Sequence, residues 1–132
     1  QVNSSHVLGT RIMAGIGGTY DYSRNSLYSI FVARSTTKGG NISSIVPIVS
    51  HVDHTEHDVD ILVTEQGLAD LRGLDPRERA EKIIGQCAHP DYRGMLSDYL
   101  ERAKKQPGHI PVLMEEAGSF HAKLRQTGSM KG

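Results

Sequence analysis

Gly15-Ile16-Gly17-Gly18 places three glycines in four residues, and Asp21 to Leu27, which can start a helix, follows at once. A glycine turn that feeds a helix start offers unpaired N–H groups and the positive end of a dipole. That suits a phosphate, a carboxylate or a developing oxyanion. Taken alone, the pattern is more often a tight turn with no ligand. Lys38, between Thr37 and Gly39, is a point charge of the kind that meets a phosphate. Without other support it reads as a solvated surface lysine. His51, His54 and His57, interleaved with Asp53, Glu56 and Asp58, have the composition of a metal-ligand cluster. Their spacing suits a helix only loosely, the stretch does not read as one, and zinc sites usually add a distant ligand group. Cys87 lies on an apolar helical stripe, which favours a buried, inert thiol over a nucleophile. Glu65 ends a predicted strand, and its structural reading is favoured over that of a nucleophile.

These residues need a scaffold, and the chain of 132 residues is long enough for one domain with a core. Its 15 basic and 15 acidic residues cancel. With no long run of either sign, neither nucleic acid nor an anionic membrane is expected as a partner. A single cysteine and the lack of a signal peptide fit a reducing, cytoplasmic setting. No apolar run is long enough to span a bilayer. The chain begins at Gln1, with strand-like residues from the outset, and reads as a fragment whose site can be shared with residues outside it.

Ser29 to Ala33 and Val59 to Val63 are apolar runs that read as strands, the second covered on both faces. Ser35 to Asn41 reads as a loop. Ile42 to Val49 is strand-like, with Pro47 pointing to an edge or irregular strand. His51 to Asp58 reads as a polar connection, and Leu68 to Leu71 as a helical turn stopping at Gly73. Asp75-Pro76-Arg77-Glu78 carries the signals of a capped helix start. Ala80, Ile83, Ile84 and Cys87 then form one stripe. His89-Pro90 breaks that helix. A second runs from Asp91 through Tyr92, Leu96, Tyr99 and Ala103, and a last one through Leu113, Ala117, Phe120 and Leu124 ends at Gly128. Strands first and helices later predict an α/β layer with helices on a small, largely parallel sheet.

Several runs together resemble a known family. They are Val2-Asn3-Ser4-Ser5-His6-Val7, Gly15-Ile16-Gly17-Gly18, Lys38-Gly39-Gly40, Ser44-Ile45-Val46-Pro47, His51 to Asp60, Val63 to Gly73 and Cys87-Ala88-His89-Pro90. They resemble the C-terminal domain of the acetyl-CoA hydrolase/transferase family, and within it the succinyl-CoA:acetate (acyl-CoA:carboxylate) CoA-transferases. The resemblance implies a CoA-transferase-like α/β domain. Residues 1–132 would be the C-terminal part of the C-terminal domain of a two-domain enzyme. It implies acetate metabolism, an acyl-CoA and a small carboxylate as substrates, and no cofactor or metal. It implies the N-terminal half of the same enzyme as partner, in a homodimer. The implied chemistry is ping-pong transfer of coenzyme A through a glutamyl-CoA thioester. The nucleophilic glutamate would lie upstream of the glycine turn, so the chain alone is expected to be inactive. By the same resemblance, Gly18 supplies a backbone N–H to the oxyanion and contacts CoA, Lys38 reaches the CoA phosphate, and Ala14 is a further CoA contact. Relatives often carry asparagine at the position of Ala14, and Gly-Ser-x-Asp-Phe where this chain has Gly18-Thr19-Tyr20-Asp21-Tyr22. Both departures touch the site and bear on substrate choice. Acetyl-CoA hydrolysis is the alternative activity, and a metal-binding or non-catalytic module built on His51 to His57 is the alternative outside catalysis.

Overall fold

Short apolar runs cut by glycine and polar turns make short strands, and the first half of the chain is built of these. The structure, a computed structural model, describes residues 1–8 and 12–132. Helix α1 (Thr19–Asn25) leaves the glycine turn and leads to β1 (Ile30–Val32), β2 (Thr36–Thr37), β3 (Ile42–Ser43), β4 (Ile61–Thr64) and β5 (Gly67–Asp70). Strand β1 pairs parallel to β4, with Ile30 opposite Ile61 and Val32 opposite Val63. Strand β4 turns at Glu65-Gln66 and pairs antiparallel to β5. The three-stranded sheet in the order β1-β4-β5 is therefore mixed, and β2 and β3 form a separate antiparallel pair.

Two expectations about local structure change here. The segment expected as a helical turn, Leu68 to Leu71, contributes to β5 instead. A Cβ on Gly67 would lie 2.8 Å from the Gln86 carbonyl oxygen, so only glycine lets this strand start so close to the helix that covers it. The expected strand from Ile42 to Val49 shrinks to Ile42–Ser43. Beyond it, Ile45 and Val46 pack on the helical core rather than continuing a ladder.

The helical half follows its local signals. The Asp75 carboxylate accepts from the N–H groups of Arg77 and Glu78, and Glu78 accepts from the Asp75 N–H, completing a capping box. Helix α2 (Pro76–Cys87) follows, then α3 (Pro90–Ala103), with Pro90 itself in its first turn. The expected last helix is split into α4 (Met114–Ala117) and α5 (Ser119–Thr127), and Gly128, at φ 79°, caps the second in the left-handed conformation. Ile84, Tyr92, Leu96, Leu100, Phe120, Leu124 and Met130 close one core between the helices. Val59, Ala69, Leu71 and Cys87 close another between α2 and the sheet. Cys87 is fully buried, its thiol facing the carbonyls of Leu62 and Gly67, and burial pushes its ionisation up. That agrees with an inert thiol.

The N-terminal segment is tied down by one carboxylate. Asp53 accepts from the N–H and hydroxyl of Ser4 and from the Ser5 hydroxyl. Burial works to raise its pKa, but these bonds and the nearby His51 ring outweigh it and hold the carboxyl at about 2. Along β1, Ile30 and Val32 stay exposed, as do Leu27 and Tyr22 before it. Among the described residues no helix is long and apolar enough to cross a membrane.

Candidate functional site

The glycine turn lies on the surface, with Ala14, Gly15, Gly17 and Gly18 all exposed. Its left-handed residue is Gly17, at φ 54°. Gly18 has φ −86° and ψ 3°, a backbone that any residue adopts. The Gly18 carbonyl accepts from Tyr22 N–H at 3.2 Å. Its own N–H donates to no carbonyl among the described residues. A Cβ on Gly18 would sit 3.3 Å from the edge of the exposed Tyr22 ring.

What fixes the turn is a contact with no local sequence signal. The Thr19 hydroxyl lies 3.0 Å from His54 Nε2, across 35 residues of chain, and also bonds the Ile16 carbonyl. His54 is buried, and its ring stands edge-on to Phe31 in the middle of β1, with centroids 5.0 Å apart. Its backbone pairs with Val2 in both directions. On the far side of the ring, Nδ1 faces Asp58 at 3.8 Å, too far for a hydrogen bond. Arg24 lies over the Tyr20 ring at 3.9 Å and reaches toward the same Asp58.

The three histidines therefore do not converge. His51 lies beside Asp53 and packs against His6, His54 is locked under α1, and His57 is exposed beside Glu56. Among the described residues no three His, Cys, Asp or Glu side chains are placed to hold a metal ion.

Lys38 occupies the turn of the β2–β3 hairpin. The Asn41 N–H closes that turn on the Lys38 carbonyl, and Lys38, Gly39 and Gly40 all have positive φ, at 49°, 62° and 89°. Two glycines make such a turn accessible, while the left-handed lysine is the uncommon member. The hairpin is pinned from below. The Tyr92 hydroxyl donates to the Gly40 carbonyl at 2.8 Å, and the Met130 N–H to the Asn41 carbonyl at 2.8 Å.

Beside Lys38 is a depression of about 410 Å³ that also takes in Arg34, Thr37 and Glu65. Arg34 follows β1 and Glu65 follows β4, so the depression lies off the carboxyl ends of the parallel pair, a usual place for ligands in such sheets. Two cations and a threonine hydroxyl are suitable for a phosphate. The Glu65 carboxylate is already engaged: it accepts from the hydroxyl and N–H of Ser35, and those bonds hold it at about 2. Arg34 was not singled out from sequence, and its place directly after an apolar run was the available signal. A larger open cavity of about 790 Å³ adjoins this depression, with Gly15, Thr19 and Thr37 in its walls. Thr37 contributes to the walls of both. Ala14 and Gly18 line neither depression.

Comparison with known proteins places the chain in a family. Residues 1–100 match the family described as acetyl-CoA hydrolase/transferase C-terminal domain. The chain is 58% identical to a succinyl-CoA:acetate CoA-transferase of Clostridium kluyveri, over 98% of this chain and 24% of that protein. It is 52% identical to an acetyl-CoA hydrolase of Candida glabrata, over 98% of this chain and 26% of that protein. Among solved structures, a 4-hydroxybutyrate CoA-transferase of Porphyromonas gingivalis superposes with a TM-score of 0.58 at 39% identity, over 64% of this chain and 22% of that one. The chain spans about a quarter of the length of the curated relatives it matches.

Proposed function

Since the chain belongs to the acetyl-CoA hydrolase/transferase family, we propose that it is the C-terminal part of an enzyme that moves coenzyme A between an acyl-CoA and a small carboxylate such as acetate. The observation that carries this reading is the exposed glycine turn, whose Gly18 N–H donates to no carbonyl among the described residues. In the proposed mechanism a glutamate outside this chain attacks the thioester carbonyl, and CoA leaves as a thiolate to give an acyl-glutamyl anhydride. The thiolate attacks the glutamyl carbonyl, releasing the first carboxylate and leaving a glutamyl-CoA thioester. An incoming carboxylate reverses both steps. Each step passes through a tetrahedral oxyanion, where the Gly18 N–H is the donor this chain offers. Lys38, with Arg34 beside it, faces a CoA phosphate, and exposed Ala14 is a CoA contact beside the turn. The N-terminal part of the same enzyme is the partner, in a homodimer, and the setting is cytoplasmic.

Hydrolysis is the second reading, favoured by the likeness to acetyl-CoA hydrolases. The two separate in one assay. The full-length enzyme is incubated with succinyl-CoA, with and without acetate, and free CoA and acetyl-CoA are quantified. Transfer gives acetyl-CoA only with acetate and no net release of CoA. Release of CoA without acetate selects hydrolysis, and no turnover of any acyl-CoA tested sinks both.

Lys38→Ala is expected to weaken CoA binding more than it slows saturated turnover. Loss of one exposed charge contact costs about 1 kcal/mol at low salt, and less as salt screens it. The Michaelis constant for acyl-CoA should rise several-fold at low ionic strength. An unchanged value there removes Lys38 from the phosphate site.

A further inference from the structure

The proposed chemistry leaves His54 unused, although among the described residues it is the only histidine buried to 1% exposure and it touches the glycine turn. We propose that His54 and Thr19 are positioning residues: together they clamp the glycine turn so that the Gly18 N–H stays open to the thioester oxygen. The inference rests on the reading of Gly18 given above.

The geometry assigns each proton. The Thr19 hydroxyl has one proton and gives it to the Ile16 carbonyl. Its oxygen is then an acceptor toward His54, so Nε2 carries a hydrogen and donates to it at 3.0 Å. The Ile16 carbonyl, satisfied by this hydroxyl and by the Thr19 N–H at 3.2 Å, is held toward α1. Among the described residues, no other side-chain hydrogen bond ties Ile16 to Thr19 to the rest of the chain. Gly17 and Gly18 have more backbone freedom to lose than any other residue type, and one anchored hydroxyl removes much of it. The anchor itself is rigid. The His54 backbone is paired with Val2, and its ring is fixed against Phe31.

The test is steady-state kinetics of the full-length enzyme carrying Thr19→Val, Thr19→Ser, His54→Gln or Gly18→Val, with melting temperatures alongside. Valine has the shape of threonine without the hydroxyl, and position 19 is exposed, so the fold tolerates it. Thr19→Val is expected to lower kcat by about 10- to 100-fold, as small misplacements of a catalytic group do, with KM for acyl-CoA unchanged and the melting temperature slightly lowered, because the buried His54 Nε2–H loses its acceptor. Thr19→Ser restores most of the rate. His54→Gln, whose amide can still donate, falls between wild type and Thr19→Val. Wild-type kcat in Thr19→Val beside an inactive Gly18→Val overturns the clamp and leaves the oxyanion role standing. Wild-type kcat in both removes the oxyanion role and the clamp with it. Equal losses of kcat in Thr19→Val and Thr19→Ser also overturn the clamp.

Discussion

Gly18→Val in the full-length enzyme is expected to cut turnover by a factor of about 10² to 10³, the usual cost of one lost oxyanion donor, with the fold intact. The valine keeps its N–H, so the loss comes from access. Oxyanion donors act at about 2.7–3.1 Å from the developing charge, and two methyl groups beside the amide keep a thioester oxygen from coming that near. The fold survives for two reasons. Gly18 has a negative φ that other residues adopt. The atom a new Cβ would meet is the edge of the Tyr22 ring, which is 75% exposed and can swing away. Gly18→Ala should fall between the two. If Gly18→Val turns over at the wild-type rate, the amide is not at the reacting carbon.

The second large effect is structural and starts from Tyr92. Its ring is fully buried among Leu96, Phe120 and Met130, and its hydroxyl is the bond that holds the Gly40 carbonyl. Tyr92→Ala should cost about 3–5 kcal/mol, the range for deleting a buried aromatic ring. Tyr92→Phe keeps the ring and leaves the Gly40 carbonyl unpaired, for a loss of about 1 kcal/mol. Urea unfolding of the purified chain measures both. Near-equal losses in the two variants would show that the hydrogen bond, and not the ring, carries the stability.

What was legible in the sequence was what is local. The start of α2 is written in Asp75-Pro76-Arg77-Glu78, because a capping box closes within four residues. The end of α5 is written in Gly128, because a left-handed cap favours glycine. Strand β5 was not legible: Gly67-Leu68-Ala69-Asp70 lacks β-branched residues, and only pairing with β4 makes it extended. Its exposed Leu68 and buried Ala69 also reverse what hydrophobicity alone would place inside. At the candidate site, residue type alone favoured a plain turn at the glycines and a solvated lysine at Lys38, and only the family resemblance singled them out. The bond from His54 to Thr19 was not legible, since a histidine in a run of His, Asp and Glu gives no sign of which one turns inward. The structure turns His54 inward because its backbone pairs with Val2, at the other end of the chain segment.

Cys87 gives this chain a built-in clock. It is the chain's one thiol, fully covered where α2 crosses the β4–β5 hairpin. A thiol reagent therefore reacts only when that seam parts, and the labelling rate counts openings of the layer that separates helices from sheet. With excess reagent the rate becomes that of opening itself, and with sparse reagent it reports how often the open form exists. No engineered probe is needed to follow how a loosened Tyr92 changes the lifetime of this seam in the chain by itself.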